Sequence, residues 1–169
     1  FVQGDTLRDL LDRQGELPIG EAVKIAAEVA EALDFAHRQG VVHRDIKPAN
    51  ILLTDGGALV ADFGVARLLD SGEGLTESGI AVGTPAYMSP EQGSGTGKLG
   101  PGSDVYSLGC VLFEMLVGEP PFTGKTAQLT IAKHLGQKPP PMTLARPSLP
   151  ASLVQAVETA LEKRPSDRY

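Results

Sequence analysis

A mainly helical α+β domain with one small β-hairpin is the fold class this sequence predicts. Apolar residues recur at three- and four-residue steps over long stretches, which is the helical period. One pair of short apolar runs, Ile51-Leu52-Leu53 and Leu59-Val60-Ala61, flanks the turn signal Asp55-Gly56-Gly57 and reads as a hairpin. The 169 residues fit a single domain with a buried core, and a composition of 41% hydrophobic and 21% charged residues is that of an ordinary globular chain.

In chain order, Gly4-Asp5-Thr6 offers a cap, and Leu7, Leu10 and Leu11 make a short helix ending near Gly15. Pro18 sits where a first helical turn tolerates proline. Ala22, Val23, Ala26, Val29, Ala30, Leu33 and Ala36 then predict a long amphipathic helix stopped by Gly40. Val41-Val42 is a further short apolar run, and the hairpin follows. Residues 64 to 100, rich in Gly, Ser and Thr, read as mostly irregular, and loops of that length are usually functional or disordered. Val105 to Val117 predicts a helix buried on most sides, ended by Glu119-Pro120-Pro121. Helical patterns return near Thr126 to Leu135 and Leu153 to Leu161, separated by a Pro-rich connector over 139–150.

The net charge of −6 argues against nucleic acid or an anionic membrane surface as the main partner. Cys110 is the single cysteine; it cannot form an internal disulfide and reads as a buried small hydrophobe. The best apolar stretch, Ser107 to Val117, is too short to span a bilayer and contains Glu114. The chain opens at Phe1 without an initiator methionine and stops at Tyr169, so both ends are expected to be cuts.

The informative block is His43-Arg44-Asp45-Ile46-Lys47-Pro48-Ala49-Asn50, followed twelve residues after Asn50 by Asp62-Phe63-Gly64. Asp45 can accept a hydrogen bond from a hydroxyl and later its proton. Asn50 supplies a neutral oxygen and Asp62 a charged one, both hard ligands suited to Mg²⁺. Taken singly, each is an ordinary turn residue. In this order and spacing the set resembles the protein-kinase family, and the resemblance covers the whole chain. It implies a kinase C-lobe, residues 1–169, with the N-lobe absent and the last helix truncated.

By that resemblance Asp45 is the catalytic base, Lys47 contacts the transferred phosphate and marks serine/threonine specificity, and Asn50 and Asp62 hold the metal. Gly83-Thr84-Pro85-Ala86-Tyr87 resembles the loop that holds the substrate, with Thr84 hydrogen-bonded to Asp45 and Lys47. Ser89-Pro90-Glu91 matches the family's A-P-E element with Ser in place of Ala, and Glu91 is expected to pair with Arg168. Asp104 is expected to accept backbone N–H bonds from the His43-Arg44 turn. His43 and Phe63 form a packed internal spine, and Ile51 and Leu52 the floor beneath the adenine. Arg44 before Asp45 implies activation-loop phosphorylation, with Thr76 and Ser78 as acceptors and Arg44 and Arg67 reading the phosphate. His37 and His134 are expected to be surface or packed histidines.

Gly93-Ser94-Gly95-Thr96-Gly97-Lys98 looks phosphate-friendly, but Leu99 stands where a P-loop needs Ser or Thr, and a connection is expected there. The Ser89–Gln92 and Asp104–Leu112 stretches look like those of bacterial receptor-type serine/threonine kinases. The implied cofactors are ATP and Mg²⁺ (or Mn²⁺), and the implied partners a Ser/Thr protein substrate and a kinase N-lobe. A cytoplasmic kinase domain is implied, its parent open to a membrane anchor. The rivals are a pseudokinase, which predicts erosion of Asp45, Asn50 or Asp62, and a standalone interaction module. All three residues are intact. The 169 residues alone are expected to be inactive, and to self-associate through Phe1, Val2, Ile51, Leu52 and Phe63.

Overall fold

The structure, a computed structural model, describes residues 5–63, 84–95 and 99–169. Strand β1 (Asp5–Thr6) leads into α1 (Leu7–Gln14), then α2 (Ile19–Arg38), a 3-10 turn (Pro48–Asn50), and strands β2 (Ile51–Thr54) and β3 (Gly57–Val60). A second 3-10 turn (Pro85–Tyr87) precedes α3 (Pro90–Ser94) and α4 (Pro101–Val117). Helices α5 (Ala127–Gly136), α6 (Met142–Ala145) and α7 (Ala151–Ala160), with a last 3-10 turn (Pro165–Asp167), complete the domain.

The mainly helical reading holds. Thr6 caps α1 through a capping box: its hydroxyl accepts from Asp9 N at 3.1 Å while Thr6 N donates to the Asp9 carboxylate at 3.0 Å. Helix α2 buries Ala22, Ile25, Ala26, Val29, Leu33 and Ala36. Val23 and Ala30, expected on that stripe, are exposed instead. Each follows a stripe residue by one 100° step, which turns it outward.

The hairpin turns through Gly57 at φ 122°, a backbone conformation that suits glycine. It is not alone: β1 pairs antiparallel with β2, making a three-stranded sheet in the order β1-β2-β3. Ile51 opposite Val60 and Leu53 opposite Ala58 face the core, whereas Leu52 and Leu59 lie on the other face. Ile51 is therefore fully buried and cannot be part of an exposed surface; Leu52 is half-buried and Leu59 and Phe63 are exposed.

Helix α4 is the centre of the core. It starts four residues before the expected Val105, with Pro101 in its first turn, and ends at Gly118 in the left-handed conformation at φ 90°. Tyr106, Cys110, Val111, Phe113, Met115 and Leu116 are buried along it, and α2 and α7 pack on it. Burial pushes the Cys110 thiol up and leaves it unreactive. Gly109 lets α7 come close, since a Cβ there would meet Ala160 Cβ at 2.9 Å.

Two loops are more ordered than their compositions imply. Residues 84–95 of the expected irregular stretch hold a 3-10 turn and α3, whose capping box joins Ser89 and Gln92. The Gly93-Ser94 part of the phosphate-like run closes that helix and Gly95 caps it at φ 62°; residues 96–98 lie outside the described residues. The Pro-rich connector buries Met142 and Leu149, and Arg146 donates to the carbonyls of Leu17 at 2.8 Å and Leu116 at 3.1 Å. No helix of the described residues is long and apolar enough to cross a membrane.

Candidate active site

Asp104, at the start of α4 and fully buried, organises the segment that leads into the site. Its carboxylate accepts from His43 N at 2.8 Å, Arg44 N at 2.7 Å and His37 Nε2 at 2.8 Å. The two backbone bonds are those expected; the His37 bond was not. Gln92 adds a fourth tie, donating from Nε2 to the Arg44 carbonyl at 2.6 Å. These bonds hold Arg44 at φ 70°, in the left-handed region that a side chain disfavours. The other non-glycine residue with positive φ among the described residues is Asp62, at 62°. Backbone strain of this kind concentrates where function needs a side chain aimed.

His43 fixes the relation between the two halves of the motif. Its Nε2 lies 2.8 Å from the Ala61 carbonyl, which can only accept, so Nε2 carries the proton. Nδ1 then accepts from Asp45 N at 3.2 Å. The Phe63 ring meets the His43 ring edge-on, centroids 4.8 Å apart. Ala61 N also donates to the Asn50 carbonyl at 2.9 Å, closing the base of the hairpin. One buried imidazole thus ties the backbone of Asp45 to Ala61 and Phe63, the residues on either side of Asp62.

The side chains converge as expected around Asp45. Lys47 Nζ donates to Asp45 Oδ2 at 2.6 Å, and Asn50 Nδ2 donates to the Asp45 carbonyl at 2.9 Å and to Oδ2 at 3.1 Å. The Lys47 charge and both side-chain bonds fall on Oδ2; Oδ1 takes no hydrogen bond among the described residues. With its Nδ2 so engaged, Asn50 has its amide oxygen left for a ligand. The Asp62 carboxylate is exposed and makes no hydrogen bond or ion pair among the described residues. Donors of this kind, one neutral oxygen and one free carboxylate, fit Mg²⁺.

Thr84 lines a recess with Arg44, Asp45, Tyr87 and Gln92. Its hydroxyl, expected on Asp45 and Lys47, bonds neither; those two are paired with each other instead. Gly64, Arg67, Thr76, Ser78 and Gly83 lie outside the described residues.

Two ion-pair networks, one half-buried and one buried, anchor the Thr84 segment. Arg8 on α1 donates to Glu114 Oε1 at 2.7 Å and to Tyr87 Oη at 2.9 Å, and Tyr87 donates to Glu114 Oε2 at 2.6 Å. Burial alone would lower the Arg8 pKa; the Glu114 hydrogen bond and the neighbouring charges outweigh it and raise it. The second is the expected Glu91–Arg168 pair, bidentate at 2.8 and 3.0 Å. Arg168 also donates to the carbonyls of Glu162 at 2.7 Å, Gly102 at 2.8 Å and Lys163 at 2.9 Å, so all of its N–H donors are used. Ser103 donates to Glu91 at 2.7 Å. Sequence reasoning missed the roles of Arg8, Tyr87, Ser103 and Gln92; for Gln92 the Ser89-x-x-Gln92 capping pattern was a readable signal.

The protein kinase domain family model matches residues 1–169. The chain belongs to the protein kinase family. It is 43% identical over 171 residues to the serine/threonine-protein kinase PknB of Mycobacterium tuberculosis, covering all of this chain and 27% of that protein. A probable serine/threonine-protein kinase PknB of Bifidobacterium longum is 42% identical, again over the whole chain and 25% of the relative. A probable serine/threonine-protein kinase, CPE1738, of Clostridium perfringens is 40% identical over 24% of its length. The chain therefore spans about a quarter of the curated kinases it matches.

Proposed function

We propose that the full-length protein transfers the γ-phosphoryl group of Mg-ATP to serine or threonine of a protein substrate, with residues 1–169 as the C-lobe of its kinase domain. The observation that carries this reading is Asp45: Oδ2 is held by Lys47 and Asn50, while Oδ1 is left for an incoming hydroxyl. Asp45 Oδ1 orients that hydroxyl toward the γ-phosphorus and takes its proton as the new P–O bond forms and the bond to ADP breaks. Lys47, which pairs with Asp45, steadies the transferred phosphate in this reading. Asn50 and Asp62 would hold Mg²⁺ or Mn²⁺, which supplies charge neutralisation of the phosphate oxygens. Leu52, on the open face of the sheet, takes the adenine-floor role; fully buried Ile51 supports it from beneath.

Loss of Asp45, Asn50 or Asp62 is what a pseudokinase would have shown, and all three stand. The 169 residues alone are proposed to be inactive, because the family's Gly-rich loop and Lys–Glu pair act from its other lobe. Asp62→Asn in the full-length protein should weaken Mg-dependent nucleotide binding, which titration calorimetry with and without Mg²⁺ measures. Equal Mg-ATP affinity in the variant would remove Asp62 from the metal site. Thr76 and Ser78 are proposed as phosphoacceptors read by Arg44 and Arg67. Peptide mass spectrometry of the active protein should find phosphate on them, and Thr76→Ala with Ser78→Ala should lower activity. A fully active double variant would refute the switch.

A further inference from the structure

Beside the catalytic recess runs a cleft with a single charged residue on its lining, and that residue is unpaired. Thr84 lines both spaces: the recess that holds Arg44 and Asp45, and a cleft of about 320 Å³ bounded by Pro85, Ala86, residues 123–127 and Thr130. That volume is at the small end of ligand-sized clefts. A substrate hydroxyl at Asp45 leaves the flanking residues within reach of this cleft, since an extended chain advances about 3.5 Å per residue.

The turn that carries Lys125 is held in place from several sides. Lys133 Nζ donates to the Thr123 carbonyl at 2.6 Å, which also brings a second positive charge to the turn. Gly124 packs so closely on α5 that a Cβ there would lie 3.0 Å from Thr130 N. Thr126 caps α5, its hydroxyl accepting from Leu129 N at 3.1 Å. Lys125 itself is exposed and makes no hydrogen bond or ion pair among the described residues. The side-chain hydroxyls of Thr84 and Thr123 are likewise unbonded among the described residues. An ammonium and two hydroxyls are thus free to donate, and no carboxylate among the described residues lines the cleft to compete for them. The complementary occupant is a negatively charged acceptor.

We propose that Lys125 is a specificity-determining residue. It selects protein substrates that carry Asp or Glu within about four residues of the phosphoacceptor, a span the extended chain covers from Asp45 to the cleft. The substrate carboxylate pairs with the Lys125 ammonium at the mouth of the cleft. The inference rests on the phosphoryl-transfer reading above and adds the chemistry of the substrate to it.

The test uses the full-length protein and serine peptides that carry Asp, Ala or Lys at successive positions on either side of the acceptor. Wild-type kcat/KM should be about 2- to 5-fold higher for Asp than for Ala at one or more positions, the size of one exposed ion pair. Raising the salt to about 0.5 M should flatten that preference, because exposed charges are screened. Lys125→Ala should erase it, Lys125→Arg should keep it, and Lys125→Glu should invert it in favour of the Lys peptide. Each comparison is a ratio within one variant, so a general loss of activity or stability cancels. A merely structural lysine would leave the ratio at its wild-type value. A wild type indifferent to Asp, or Lys125→Glu with the wild-type ranking, overturns the inference and leaves transfer from ATP standing. A wild type that phosphorylates none of the peptides counts against both.

Discussion

Asp45→Asn in the full-length protein is expected to lower kcat by about 10²–10⁴-fold while ATP affinity stays nearly unchanged. The substitution preserves size and keeps one oxygen for Lys47 or Asn50. It removes the charge that receives the hydroxyl proton, and it puts an N–H₂ where one of the acceptors stood. Asn50, Asp62 and the Leu52 face of the sheet are untouched, which is why nucleotide binding should survive. Steady-state kinetics give kcat, and titration calorimetry gives the affinity. A variant with near-normal turnover would take Asp45 out of its role.

The second large effect is on stability. Glu91→Ala or Arg168→Ala should each cost about 3–5 kcal/mol, the range for breaking a buried pair and leaving one charge unmatched. The Arg168 side chain is fully buried and that of Glu91 is 10% exposed, so this is not a surface bridge of small worth. Removing Arg168 also strands the carbonyls of Glu162, Gly102 and Lys163. Denaturant unfolding of both single variants and the double variant should show strong coupling, the double costing much less than the sum. Additive losses would contradict the contact.

The pH dependence of this pair has a definite sign. Burial by itself would raise the Glu91 pKa; the hydrogen bonds from Arg168 and Ser103 outweigh it and hold the carboxyl below its ordinary value of 4.5. A depressed folded pKa means the stabilisation is present above that ordinary value and is lost as pH falls through the folded one. The wild type should therefore lose more stability on acidification below about pH 4.5 than Glu91→Ala does.

How much of this was legible in the sequence depended on whether the signal was local. Thr6, Gly15 and Gly57 announced the ends of α1 and the hairpin turn because caps and turns are local chemistry. The motif spacing placed Asp45, Asn50 and Asp62, and the family resemblance placed Asp104 and Glu91–Arg168. Strand β1 was not readable, because two residues, Asp5–Thr6, are too short for any alternation to show. The Arg8–Tyr87–Glu114 network joins three elements far apart in the chain. One trace of it was visible: Glu114 is a charge inside a helix otherwise fit to be buried, and a charge there requires a partner. His37 and His134 looked alike as isolated histidines. Only packing separates one that completes the Asp104 cluster from one buried against Tyr106 and Phe122.

The measurement that bears most directly on the central claim is transfer from γ-labelled ATP to a generic protein acceptor by the full-length protein, followed by phosphoamino-acid analysis. Label on serine and threonine, dependent on Mg²⁺ or Mn²⁺ and abolished to within background by Asp45→Asn, is the predicted result. Label on tyrosine, or transfer that survives Asp45→Asn at the wild-type rate, would contradict the account.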